Sequence, residues 1–226
     1  MPETATETIV PVRLLPGQED RLRAGHQWIF SNEIAKVEGQ PEAGALAQVF
    51  TAGGESLGLA FYHPGSLIAC RMVSAQIEAV DGAFFHKRLA AALAYRQRTC
   101  PGETSYRLCF GESDRLPGLV IDRYGDALVI QVYCAGMEKR LPLIEAALKE
   151  ILDPRGIFLK NDHRLRKLEG LPGECRLLMG SVPERVPISE GGLRFWVPIG
   201  EGQKTGHYFD QRDNRTYLRP YFSGRT

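Results

Sequence analysis

At 226 residues, with 43% hydrophobic and 24% charged side chains, the chain has the make-up of an ordinary globular protein, long enough for two small domains. A formal net charge of +1 gives no global field that would demand nucleic acid or an acidic membrane. No apolar run nears the roughly 18 residues that span a bilayer, and the polar, acidic start Met1–Glu7 is unlike a secretory signal, so a cytoplasmic location is expected.

Five cysteines (Cys70, Cys100, Cys109, Cys134, Cys175) are scattered without a Cys-x-x-Cys pair. That argues against structural zinc and against a disulfide framework; most have apolar neighbours and read as buried, inert thiols. No metal is expected. Charge is unevenly divided: residues 1–78 carry five basic and nine acidic side chains, residues 79–193 seventeen and fifteen, residues 194–226 six and three. Arginine outnumbers lysine 21 to 7, a bias that suits phosphate contacts but decides nothing alone.

In chain order, Ile9–Leu15 reads as a strand closed by Pro16-Gly17, and Asp20–Ser31 as a short helix followed by a loop. Ala45–Thr51 and Ser56–Tyr62 flank Gly53-Gly54 as a hairpin, and Ser66–Val73 supplies a further strand. Short strands at this spacing predict a small barrel. From Asp81 the period changes: Phe85, Leu89 and Leu93 predict a helix capped by Asp81 and ended before Pro101-Gly102. Strands follow at Tyr106–Phe110, Gly118–Arg123 and Ala127–Cys134, then a helix marked by Leu141, Ile144, Leu148 and Ile151, then a strand at Gly156–Lys160. Val186–Ser189 and Leu193–Ile199 pair across Gly191-Gly192. Boundaries are expected near residues 78 and 193.

Four constellations carry candidate chemistry. Arg21, Arg23 and His26 are placed to meet RNA phosphate, with Trp28 or Phe30 stacking on a base; burial of Trp28 and Phe30 as a barrel plug is the favoured alternative. The acidic surplus of residues 1–78 confines any such contact to a local patch. Glu112, Asp114 and Asp122 invite an acid/base or metal reading, but Asp114 and Pro117-Gly118 look like turn chemistry and Asp122 alternates with Arg123 along a strand. A scaffold role is expected. Arg164, Arg166 and Lys167 form a basic cluster, open to RNA or to solvent. Gly200–Thr205 is not a nucleotide-hydrolysing phosphate loop, because Gln203 stands where that loop needs glycine before lysine. Asp210 fits a helix cap with Asp213 in the first turn.

Three of these stretches together resemble the bacterial large-subunit rRNA methyltransferases that carry an N-terminal PUA domain and form 5-methylcytosine. They are His26-x-Trp28-Ile29-Phe30, the run Gly111-Glu112-x-Asp114-x-Leu116-Pro117-Gly118-Leu119-x-x-Asp122-Arg123-Tyr124, and Gln203–Arg215. The resemblance spans essentially the whole chain. It implies an α+β fold: a small PUA-like β-barrel over residues 1–78, a mixed strand/helix domain over 79–193, and over 194–226 the first strand-helix stub of a Rossmann-like methyltransferase domain. It implies S-adenosyl-L-methionine as cofactor and 23S-class rRNA as partner, with no membrane and with homodimer formation left open. Lys204, Thr205, Tyr208, Asp210, Gln211 and Arg212 match the family motif, and the resemblance implies that they bind the cofactor by lining or supporting the methyl-donor pocket; His207 before Tyr208 is a mild departure. The family's catalytic cysteines and glycine-rich cofactor loop have no counterpart here. No catalytic residue is assigned, and weak or absent cofactor binding by this chain alone is expected. The reading is therefore the recognition and scaffold portion of such an enzyme, lacking most of the catalytic domain. The alternative is a stand-alone, non-catalytic RNA-binding module; an enzyme built on the central carboxylates is disfavoured.

Overall fold

The computed structural model describes residues 8–222. Six strands form a curled sheet: β1 (Val10–Leu14), β2 (Trp28–Phe30), β3 (Ile34–Val37), β4 (Ala45–Phe50), β5 (Ser56–Tyr62) and β6 (Ile68–Ser74). Their order is β2-β6-β5-β4-β1-β3, with β1 and β4 parallel and every other pair antiparallel. The two edge strands, β2 and β3, are joined through a single 3-10 turn, Ser31–Glu33. Glu33 fastens that turn by accepting from the Phe30 amide at 2.7 Å and from Arg21 at 2.5 Å. Val12, Leu14, Ile29, Ala47, Val49, Ala60 and Cys70 fill the interior, with Leu22 of helix α1 (Glu19–Arg23) against them.

The second unit begins with helix α2 (Gly82–Thr99), whose cap is Asp81, accepting from the Phe84 amide at 3.0 Å. Strands β7 (Ser105–Phe110), β8 (Leu119–Tyr124), β9 (Ala127–Val132), β10 (Gly156–Asn161) and β11 (Glu174–Gly180) form a sheet of order β11-β10-β9-β8-β7. Only β9 and β10 are parallel, and the crossover between them carries helices α3 (Ala135–Lys139) and α4 (Leu141–Leu152). A hairpin of β12 (Arg185–Glu190) and β13 (Leu193–Pro198) then leads through a 3-10 turn (Phe209–Gln211) into α5 (Arg212–Phe222).

The sheet is covered on both faces. Phe85 and Leu89 of α2 and Ile144 and Leu148 of α4 pack with Ile121 and Ile130 of the sheet. Full burial of each such side chain is worth about 1.5–3 kcal/mol. On the opposite face Tyr124, Val129 and Phe158 meet Val186, Ile188, Val197 and Ile199 of the hairpin. Strands β4 and β5 are buried on both sides. Ala47, Val49 and Ala60 point into the barrel, while Leu46, Leu59 and Phe61 join the core around Phe85 and Leu89. Period-2 alternation on these strands thus feeds two interiors at once.

Several expectations change. The Asp20–Ser31 stretch holds a third element: Trp28–Phe30 is a strand paired with β6. Trp28 and Phe30 do not plug the barrel. Ile29 takes the interior at 1% exposed, and alternation turns its two aromatic neighbours outward, half-buried. Strands β3 and β11 and helix α3 were not anticipated. Among the described residues, β13 pairs only with β12, antiparallel, so no strand-helix unit of a parallel Rossmann-like sheet is formed there.

Candidate functional site

The segment Gly200–Arg215 lies on the hairpin side of the central sheet, pinned by buried polar contacts. Thr205 is 0% exposed, and its hydroxyl donates to Asp122 Oδ2 at 2.5 Å while lying 2.9 Å from the Tyr124 hydroxyl. Asp122 accepts two further bonds from Arg107, at 2.8 and 2.9 Å. Tyr124 also accepts from the His207 amide at 3.0 Å. Burial, reinforced by the charge of Asp122, pushes the Tyr124 phenol well above its ordinary range, so it stays neutral. Lys160, 2% exposed, donates to the Gly200 carbonyl at 2.8 Å. Gly206, at φ +136°, is required by space as well as conformation: a Cβ there would stand 2.8 Å from Val197 Cγ1.

The remaining motif residues are engaged with one another. Lys204 lies 4.2 Å from the Tyr208 ring centroid and 3.8 Å from Asp210, and the Tyr208 hydroxyl donates to Gln203. Gln211 accepts from Asn214 at 2.8 Å. Arg212 pairs with Asp213 at 3.5 Å, and a side-chain bond with Cys100 leads the influences that hold its guanidinium above the ordinary value. Asp210 lies inside the 3-10 turn preceding α5, facing Lys204, and is not the helix cap its sequence context suggested. Thr205 is sealed inside, while Lys204, Tyr208, Asp210, Gln211 and Arg212 lie at the surface in contact with near neighbours.

Helix α5 is anchored through Arg215, which donates to Glu190 at 2.6 and 2.9 Å and to the Tyr208 carbonyl at 2.8 Å. Burial works to raise the Glu190 pKa, but the bonds and charge of Arg215, with His207 at 3.3 Å, outweigh it and hold the carboxyl below its ordinary value. Beyond that anchor Tyr217, Leu218 and Tyr221 are exposed.

The sequence-predicted RNA residues divide. Arg21 pairs with Glu33, lies 5.2 Å over Phe30 and meets the His26 ring at 3.0 Å, and Arg23 pairs with Glu55 at 2.5 Å. These three form one exposed patch beside β2. Arg164 and Lys167 are exposed on a 3-10 turn (Arg164–Glu169), but Arg166 is not available to RNA. At 1% exposed it donates to the Val132 carbonyl at 2.6 Å, to Glu138 at 2.9 Å and to the Pro172 carbonyl at 2.9 Å. A 3-10 turn places consecutive basic residues on different sides, and this one is drawn inward as a brace. Among the described residues no cluster of three or more His, Cys, Asp or Glu could hold a metal ion.

Sequence reasoning missed the latch between the two units. Arg71 of β6 pairs with Glu112 at 3.5 Å and Glu169 at 3.2 Å, Ser66 donates to Glu169 at 3.1 Å, and Trp28 Nε1 donates to Glu112 at 2.6 Å. Only the Gly-Glu-x-Asp motif around Glu112 hinted at it.

Residues 12–75 match the family model of the PUA-like domain. Over 93% of its length the chain shares its fold with a putative SAM-dependent methyltransferase from Streptococcus mutans, at a TM-score of 0.78 and 22% identity, covering 54% of that chain. A crystal structure of a putative methyltransferase complexed with SAH matches equally, at 0.78 and 22%, over 93% and 53%. These matches show a PUA-like domain set within a fold that the two solved structures share. The sequence narrows this further: the ribosomal RNA large subunit methyltransferase I of Pseudoalteromonas atlantica is 38% identical over 217 residues, 95% of this chain and 55% of that protein. The protein of that name from Yersinia pseudotuberculosis is 39% identical over 216 residues, 94% and 54%. The chain belongs to this family and spans about half the length of these relatives.

Proposed function

We propose that this chain is the RNA-recognition and scaffold portion of an S-adenosylmethionine-dependent rRNA (cytosine-5-)methyltransferase. The PUA-like unit, residues 1–78, and the central unit, residues 79–193, serve recognition; residues 194–226 serve as the approach to the methyl-donor domain. The observation that carries the reading is 38% identity across 95% of the chain to a ribosomal RNA large subunit methyltransferase I. Exposed Arg21, Arg23, His26, Arg164 and Lys167 supply the polar contacts to 23S-class rRNA. Lys204, Tyr208, Asp210, Gln211 and Arg212 shape the approach from outside the donor pocket, and Thr205 fixes it to the central sheet. Methyl transfer to cytosine carbon needs a cysteine thiolate. Cys70, Cys109 and Cys134 are buried, and burial raises all three thiols, so none of them is assigned that role.

The test is binding by the 226-residue chain at low salt, read by fluorescence anisotropy with 23S rRNA fragments and by calorimetry with S-adenosylmethionine. Weak, salt-sensitive RNA binding with little heat from the cofactor is expected. Absence of any RNA binding overturns the recognition role. Micromolar cofactor affinity overturns the view that the motif supports the donor pocket from outside.

A further inference from the structure

A groove of about 420 Å³ runs along the seam between the curled sheet and the central unit. Leu57 and Met72 give it apolar walls, and Arg23, His26, Arg88 and Arg115 stand around it. Arg23 and His26 come from α1 and the loop after it, Arg88 from α2, and Arg115 from the end of the 3-10 turn Gly111–Asp114.

The three arginines are unequally balanced. Arg23 is committed to Glu55. Arg88 donates to the Val73 carbonyl at 3.4 Å, has Glu78 at 3.8 Å and lies 5.0 Å over the Phe84 ring. Arg115 is exposed, and its side chain makes no hydrogen bond or ion pair among the described residues. Its charge acts on Arg88: burial first, with Arg115 adding to it and Glu78 opposing, lowers the Arg88 pKa. Arg88 and Arg115 thus both line the groove, and among the described residues no ion pair joins Arg115 to a carboxylate.

Arg115 is also held at φ +57°, ψ 32°, a left-handed conformation that non-glycine residues seldom adopt. The turn beneath it is rigid. Asp114 accepts two bonds from Arg96, and Gln27 of the barrel donates to the Glu112 carbonyl at 2.8 Å. An uncommon backbone state held by this much structure points to use. A polar, cationic mouth over apolar walls, in the size range of small-ligand sites, suits one nucleotide: phosphate to the arginines and base to the aliphatic side chains.

We propose that this groove receives a single unpaired nucleotide of RNA, its phosphate between Arg88 and Arg115 and its base against Leu57 and Met72. The proposal rests on the RNA-recognition reading above and extends it to two arginines of the central unit, making the site a composite of both units.

The experiment compares the unsubstituted chain with Arg115→Gly, Arg115→Glu and a distant control, Lys149→Gln, by anisotropy on a single-stranded 23S rRNA fragment at several salt concentrations. Arg115→Gly is expected to weaken binding about ten-fold and to shallow the salt dependence by about 0.7 in slope, one phosphate's worth. Because glycine is at ease at φ +57°, its thermal midpoint should stay level or rise, so lost binding cannot be lost folding. Arg115→Glu should bind more weakly still, and Lys149→Gln should match the unsubstituted chain. Cross-linking with 4-thiouridine RNA should label the peptides carrying Gln27, Leu57 or Met72. If the unsubstituted chain binds RNA and Arg115→Gly binds it equally, the groove assignment is wrong while the recognition role stands. If the unsubstituted chain does not bind, the recognition role fails first. Tight binding of free uridine monophosphate that leaves RNA binding untouched would also overturn the proposal.

Discussion

The hydroxyl of Thr205 lies 2.9 Å from the hydroxyl of Tyr124, across 81 positions of sequence, and donates at 2.5 Å to Asp122 on the same strand. Two motifs that look independent in the sequence are therefore one buried structure. The run around Asp122 provides acceptor and phenol, and the run around Thr205 provides the donor that closes the network.

Removal of that donor should be costly. Thr205→Val keeps shape but leaves Asp122, 0% exposed, short of one bond. A buried acceptor left unsatisfied costs about 1–3 kcal/mol. Urea denaturation should show a loss of that size, with Thr205→Ser close to the unsubstituted chain. An unchanged midpoint for Thr205→Val would mean that the C-terminal segment is not held through this network.

The Glu190–Arg215 pair makes α5 sensitive to acid. The folded pKa of Glu190 is depressed, so its stabilising contribution is present above the ordinary value of 4.5 and is lost as pH falls below it, through the lower folded value. Between pH 7 and 3 the chain should lose more stability than Glu190→Gln loses over the same range. At neutral pH Glu190→Gln should itself be destabilised by about 2 kcal/mol, since a charged partner is left without its counterpart. Parallel stability profiles for the two proteins would contradict this.

Helical periodicity with a cap was legible because the information is local. Phe85, Leu89 and Leu93 behind Asp81 predict α2, and all three are buried there. Paired glycines likewise gave the β12–β13 hairpin. What escaped the sequence depends on distant partners. Trp28-Ile29-Phe30 is too short to declare itself a strand, and becomes one only by pairing with Arg71, Cys70 and Ile68. Arg166 looked like its basic neighbours, yet the turn aims it at Val132 and Glu138. The motif at Lys204–Arg212 was legible as a motif. That Thr205 turns inward to Asp122 while Lys204 faces Tyr208 and Asp210 was not, because those contacts depend on how the turn folds.

The thiols should separate sharply by burial. Cys175 is exposed and Cys100 partly so, whereas Cys70 and Cys134 are buried, with burial pushing both thiols up to about 12 and Cys109 higher still. At pH 8 a thiol of pKa 12 is ionised in about one molecule in ten thousand. Ellman's reagent should therefore titrate two thiols in the folded chain and five after denaturation. Rapid reaction at Cys109 or Cys134, mapped by peptide mass, would show that the central core opens readily.

The contact between the barrel and α3 leaves no room for a methyl group. A Cβ on Gly136 would stand 2.1 Å from Phe61 Cγ, and the Phe61 ring is also held by Arg140, 4.4 Å from its centroid. Phe61 cannot swing away without opening the core it shares with Leu46 and Leu59. Gly136→Ala should therefore destabilise the chain by about 1–3 kcal/mol, the usual cost of overpacking. Gly82→Ala, with nothing within 4 Å of the added atom, should be nearly silent. If the barrel and the central unit were separable bodies, Gly136→Ala would produce two unfolding transitions. A shared core requires one transition, moved to lower denaturant as a whole.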